Sequence, residues 1–185
     1  MDHFREEVVT KRNRTVESVL YALSFVVMIV SGLITVFMFN LLTMAISTQG
    51  FSSGMIMDIV FTVLMAATAV LLFLYKDRIK TEYEYTFTNG TMDFARVFNN
   101  KKRKSLGTMN IKNIEACGKV SSGSFHRYLS MPGVRRLNWF LNRDAELFYF
   151  YFVKDNVKSL MIIEPSDEMV QLIIRYAGQG KYQQN

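Results

Sequence analysis

Residues 18–75 read SVLYALSFVVMIVSGLITVFMFNLLTMAISTQGFSSGMIMDIVFTVLMAATAVLLFLY, fifty-eight residues with one formal charge, Asp58. A hydrocarbon core about 30 Å thick takes about 20 apolar residues of helix to cross. The stretch holds two such runs, over about 19–42 and 55–75, separated by the polar break 47–54. Backbone groups in lipid need partners within the chain, so each crossing is expected to be helical. The reading is a membrane α-helical hairpin with about 110 residues of polar-patterned chain behind it.

Charge sets the expected orientation. Arg5, Lys11, Arg12 and Arg14 precede the first span, Lys76, Arg78 and Lys80 follow the second, and the break between has no Lys or Arg. The positive-inside rule then places both termini of a multi-pass cell-membrane protein in the cytoplasm. The apolar run is too long and its leader too acidic for a cleaved signal peptide, so a retained anchor is expected. Asp58 falls in the first turn of the second span, where Ser52 or Ser53 can cap the helix. There its carboxylate meets the positive end of the helix dipole. At mid-bilayer the same group costs about 2.5–3.5 kcal/mol. A helix-end role is therefore preferred to an ion site for this candidate intramembrane polar residue. Residues 1–17 read as a basic cytoplasmic leader that sets topology, preferred to a surface helix carrying Phe4, Val8 and Val9.

After Lys80 the period becomes two. Tyr83, Tyr85 and Phe87 alternate with Glu84 and Thr86, as in a half-buried strand. Asn89-Gly90 is a type I′ hairpin signal. With the strand at 83–88, strands over 91–98, through about Met109 and over about 114–120 are expected to form an antiparallel meander, and further strands are expected within 135–142, over 145–153 and over 157–163. Phe or Tyr at positions 148–152 marks a strand apolar on both faces, central or covered. Ser166 is a helix N-cap, and Met169, Leu172, Ile173 and Tyr176 form one apolar face of a helix over 166–177. Residues 178–185 read as a flexible tail.

About seven antiparallel strands closed by one C-terminal capping helix make a mainly-β domain over 81–177 with PH-like architecture. Tyr83–Gly90, the basic Lys101–Lys104 and Ile111-Lys-Asn-Ile114-Glu115 resemble bacterial PH-like domains. Leu160–Val170, with Arg175-Tyr176-Ala177 after it, is similar to a family of small Firmicutes membrane proteins that also begin with a basic leader and two spans. The resemblance implies a fold and a bacterial membrane address, and no activity. Residues 121–143 carry no matching motif.

The chemistry-bearing residues favour binding over catalysis. Gly-rich phosphate loops, HExxH and acidic metal clusters are missing from the sequence, so no cofactor or metal is expected. Cys117 and His126 are the obvious nucleophile and base, and the preferred reading makes them a buried hydrophobe and a loop residue. From Thr81 onward fifteen Lys/Arg face ten Asp/Glu, an excess suited to anionic headgroups and too small to argue for nucleic acid. Lys101, Lys102, Arg103 and Lys104, with Arg135, Arg136 and Trp139, form the candidate surface for anionic lipid or a partner. The expectation is a non-enzymatic, membrane-anchored binding or scaffolding module whose partners are membrane lipids and a protein. The alternative is a small subunit of a membrane complex, or a homo-oligomeric pore, in which the hairpin is the functional part.

Overall fold

A computed structural model describes residues 2–184. The chain divides into two units, Asn13–Lys80 and a second made of Met1–Arg12 with Thr81–Asn185.

In the helical unit, α1 (Thr15–Gln49) is followed by α2 (Ile56–Tyr75). Both are long and apolar enough to cross a membrane, by length and composition. α1 runs past the expected end near residue 42. Its polar last turns bond back into the helix, Ser47 Oγ to the Thr43 carbonyl at 2.8 Å and Thr48 Oγ1 to that of Met44 at 3.0 Å. The helix stops at Gly50, whose φ is +74°. A 3-10 turn, Ser53–Met55, is capped by the Ser52 hydroxyl and leads into α2, so the non-helical part of the break shrinks to Gly50–Ser52. The pair is inside-out. Its buried helical residues are Ser24, Ser31 and Thr62, while Leu33, Phe37, Met57 and Phe73 are each more than 60% exposed. Each buried hydroxyl donates to a carbonyl of its own helix at 2.7 Å, and small side chains allow close helix contact.

The second unit holds nine strands among the described residues, against about seven expected. β1 (Phe4–Val9), β2 (Thr81–Thr88), β3 (Thr91–Phe98) and β4 (Lys102–Asn110) form an antiparallel sheet in that order. A second sheet has the order β6-β8-β7-β5-β9, with β5 (Ala116–Lys119), β6 (Arg135–Trp139), β7 (Phe148–Lys154), β8 (Val157–Ile163) and β9 (Tyr182–Gln183). The meander therefore stops at β4, because the expected fourth strand, β5, pairs with β7 in the other sheet. The pairing is not wholly antiparallel either, since β6–β8 and β5–β9 run parallel.

Two corrections concern the ends of the chain. The leader does more than set topology and is not a surface helix, for Phe4–Val9 is an edge strand in register from Phe4↔Thr88 to Val9↔Tyr83. The helical unit is thus inserted between two neighbouring strands of one sheet. The tail is tied down at β9, where Gly118 is required. A Cβ there would sit 2.7 Å from the Gln183 carbonyl oxygen and 3.1 Å from the Tyr149 ring. Met1 and Asn185 lie outside the described residues.

Primed turns set the hairpins. Asn89-Gly90, Asn99-Asn100 and Asp155-Asn156 each place two consecutive residues at positive φ, as type I′ geometry needs. Tyr85, Phe87, Met92 and Phe94 from the first sheet meet Phe148, Phe150, Met161 and Ile163 from the second. α4 (Asp167–Ala177) closes this core with Met169, Val170 and Ile173 buried, Leu172 and Tyr176 packing at its margin. The other face of β7 is covered by a helix the sequence reading did not place, α3 (Gly123–Leu129). Its Phe125 and Tyr128 pack on Tyr149 and Tyr151, the Tyr128–Tyr151 rings stacking at 4.6 Å. Both faces of β7 are buried, as its five consecutive aromatics require.

Candidate functional site

The residues singled out by sequence fall in separate places. Asn99-Asn100 turns the chain so that Lys101 lies at the hairpin tip and Lys102, Arg103 and Lys104 open β4, all exposed. Arg103 Nε is 2.8 Å from Glu84 Oε2, so this cation is engaged across the sheet. Lys104 is paired with Arg96, whose guanidinium lies over the Tyr83 ring and donates to its hydroxyl at 2.8 Å. Thr81, Phe98 and Lys102 occupy one row at the end of the first sheet. That is the end from which the chain leaves after Val9 and to which it returns at Thr81, a placement no linear motif carries.

Arg135 and Arg136 open β6, alternating in direction. Arg136 donates to the Leu129 carbonyl at 3.2 Å and so ties α3 to the sheet. Arg135 instead lines a cavity of about 510 Å³ at the open side between the sheets, together with Trp139. Phe94, Leu137, Phe152 and Met161 form its apolar part. Lys101–Lys104 do not line it. Its wall on β4 depends on a bulge. Phe94 pairs with Gly107 and Ala95 with Ser105, leaving Leu106 as the extra residue, and Leu106 lines the cavity.

Cys117 and His126 are not brought together as a catalytic pair. Cys117 is fully buried on β5, and burial pushes its thiol up to about 12. A nucleophilic cysteine needs the opposite shift. His126 lies on α3 with its ring against Phe125. The folded protein should leave Cys117 unlabelled by a maleimide at pH 8, with full labelling after denaturation, as read by intact mass. Labelling of the folded chain within minutes would overturn that placement. Asp58 lies in the first turn of α2.

Glu164, the residue after β8, is a hub. Its carboxylate accepts from the backbone N–H groups of Leu141 and Asn142 at 3.2 and 3.0 Å, and from Asn142 Nδ2 at 2.7 Å. Asn142 also donates to the Thr10 carbonyl at 2.9 Å and accepts from Arg12 N–H at 2.8 Å. Arg12, expected only to set topology, further pairs with Asp144 at 2.6 Å. The Tyr85 hydroxyl accepts from Glu164 N–H at 3.3 Å and donates to the Trp139 carbonyl, and burial pushes its phenol up. A second latch joins β1 to α4. Glu7 accepts from Ser166 N–H at 2.9 Å and from its hydroxyl, while Arg5 reaches Ser166 and Glu168 at 3.2 Å. The Glu7 carboxylate thereby sits at the positive end of α4.

The family described as Bacterial PH-like domain (DUF6106) matches residues 1–182 of the chain. No curated protein and no solved structure matches it.

Proposed function

We propose, from the premise that the chain belongs to the Bacterial PH-like domain family (DUF6106), that it is a non-catalytic binding or scaffolding module held at the cytoplasmic face of a bacterial, Firmicutes-type membrane. The observation that carries this reading is the inside-out helix pair inserted between β1 and β2. In water, α1 and α2 would expose a continuous apolar surface far larger than soluble monomers show. In lipid the same surface is the favourable one. The cations that follow α2 also suit an interface. Lys76 lies 4.4 Å over the Phe73 ring, Arg78 4.6 Å over Tyr75, and Lys80 4.7 Å over Tyr21. Aromatics beside Lys and Arg are the anchors expected where a helix leaves the bilayer.

Strand pairing supports an even number of crossings independently of charge. β1 and β2 share one sheet, so residues 4–9 and 81–88 lie on the same side of any membrane the insertion enters. The number of crossings is then even, in line with two spans, and the cytoplasmic side for both termini rests on the positive-inside pattern. Lys102 ends the row at the sheet end nearest in sequence to the spans, and Arg103 and Lys104 follow it along β4. Anionic headgroups attract each such cation by about 1 kcal/mol within a Debye length. The surface offered to a protein partner or anionic lipid is therefore assigned to Lys101–Lys104, with Arg136 on the second sheet.

The test places a photo-crosslinking residue at position 102 of the full-length chain in its native membranes. A specific adduct, to a protein or to anionic lipid, is expected and should fall at least about tenfold when Lys101, Arg103 and Lys104 are replaced by Glu. That drop corresponds to the roughly 1.4 kcal/mol or more expected from removing three attractions. An adduct of unchanged yield would remove this patch from the account. Loss of the chain to an alkaline carbonate wash would refute the membrane anchoring itself.

A further inference from the structure

The cavity beside Arg135 has a composition that the docking surface does not use. Protein interiors are close-packed, and an opening of about 510 Å³ falls in the size range of small-ligand sites. Phe94 and Met161 are almost fully buried at its floor, and Trp139 and Phe152 pack on the same core while remaining partly exposed. Its charged groups are confined to the margin, and Ser159 is the buried polar side chain in its lining. Arg135 and Lys154 stand there, and among the described residues neither has an ion-pair partner. Asp155, at the β7–β8 turn, is the one carboxylate on the rim.

The mouth is apolar too. Val153 and Val157 flank that turn at 41% and 44% exposure. Among the described residues of the β unit, the only other large hydrophobics so exposed are Phe4 and Val8 on β1. Val153 faces Lys158 and Lys154 faces Val157 across the hairpin, so each exposed valine has a cation opposite it. An apolar pocket whose entrance joins exposed aliphatic side chains to two cations matches a molecule with an apolar body and one acidic head.

From this juxtaposition we infer that the cavity between β4, β6 and the β7–β8 hairpin binds a single-chain anionic amphiphile. The tail lies against Trp139, Phe152 and Met161, and the head meets Arg135 and Lys154. The source is a free monomer and not a bilayer lipid, because a cavity of about 510 Å³ takes one acyl chain and not two. This inference rests on the cavity alone and stands or falls separately from the Lys101–Lys104 surface.

Trp139 is the single tryptophan of the chain and lines the cavity, so its fluorescence reports occupancy. The full chain, in nanodiscs of zwitterionic phosphatidylcholine, is titrated with a dibrominated stearate, whose bromines quench tryptophan on contact. Saturable quenching reversed by unbrominated stearate is expected. The double variant Arg135→Glu/Lys154→Glu changes exposed side chains and should raise the half-saturating concentration at least about tenfold. Leu106→Phe, which narrows the tail space without adding a tryptophan, should weaken it as well. Equal quenching by a brominated lysophosphocholine, no effect of either variant, or an absence of saturable quenching would overturn the inference. So would quenching by brominated phosphatidylglycerol built into the disc, which would make the site a contact for bilayer lipid.

Discussion

Removal of residues 2–9 is expected to unfold the β unit, with loss of the protein from membranes and rapid proteolysis of what remains. β1 forms a six-residue antiparallel ladder with β2 and contributes Val9 to the core. Each backbone hydrogen bond contributes about 0.5–1.5 kcal/mol net, so the ladder is worth several kcal/mol. Domains of this size have about 5–15 kcal/mol in total. The deletion also strips Glu7 from Ser166 at the start of α4, and it bares the edge of β2 to pairing with other chains. Limited proteolysis and steady-state level in the membrane fraction are the readouts. A truncated chain that accumulates normally and stays protease-resistant would mean that β1 is dispensable.

The second large effect concerns Glu164. Replacing it by Ala leaves the N–H groups of Leu141 and Asn142 and the amide of Asn142 without their acceptor. An orphaned buried donor costs about 1–3 kcal/mol, and Glu164 is half-buried, so water restores part of this. A net loss of about 3 kcal/mol is expected, equivalent to a fall in Tm of roughly 10–20 °C for a domain of this length. Glu164→Gln keeps one acceptor oxygen but turns an amide toward backbone donors, and should fall between. The melt is followed by Trp139 fluorescence, the Trp139 carbonyl being bonded to the same Tyr85 hydroxyl that meets Glu164 N–H. An Ala variant melting within a degree of the parent would show that Asn142 finds other partners.

The difference between these residues and the ones legible in sequence is one of range. The apolar runs of α1 and α2, the Asn89-Gly90 turn and the Ser166 cap are local signals, each complete within a few residues. β1 was hidden because its polarity is inverted. The side chains facing the domain at positions 5 and 7 are Arg and Glu, and they pair with α4 residues more than 150 positions away. Read alone, Phe4, Val8 and Val9 resemble a weak lipid-facing stripe. α3 did carry a helical spacing in Phe125, Tyr128 and Leu129, but seven residues set among serines and glycines are too few to outweigh turn chemistry. β9 is two residues long and exists only because Gly118 leaves room for its backbone. The cavity draws on β3, β4, β6, β7 and β8, which no linear motif brings together; of the neighbours Arg135, Arg136 and Trp139, the first and last line it while Arg136 reaches α3.

The insertion of the helical unit between β1 and β2 also fixes a timetable. β1 leaves the ribosome first, yet its partner appears only after residues 10–80 have been made. At about 5–20 residues per second that is a wait of roughly 4–14 s with an unpaired strand. On the membrane reading, both helices are integrated before the sheet can close. A chain whose hairpin crossed only once would strand β1 on the far side, leaving β2 open along its edge for proteases to find. Closure of the first sheet then works as a checkpoint, completed only by molecules whose insertion is already correct.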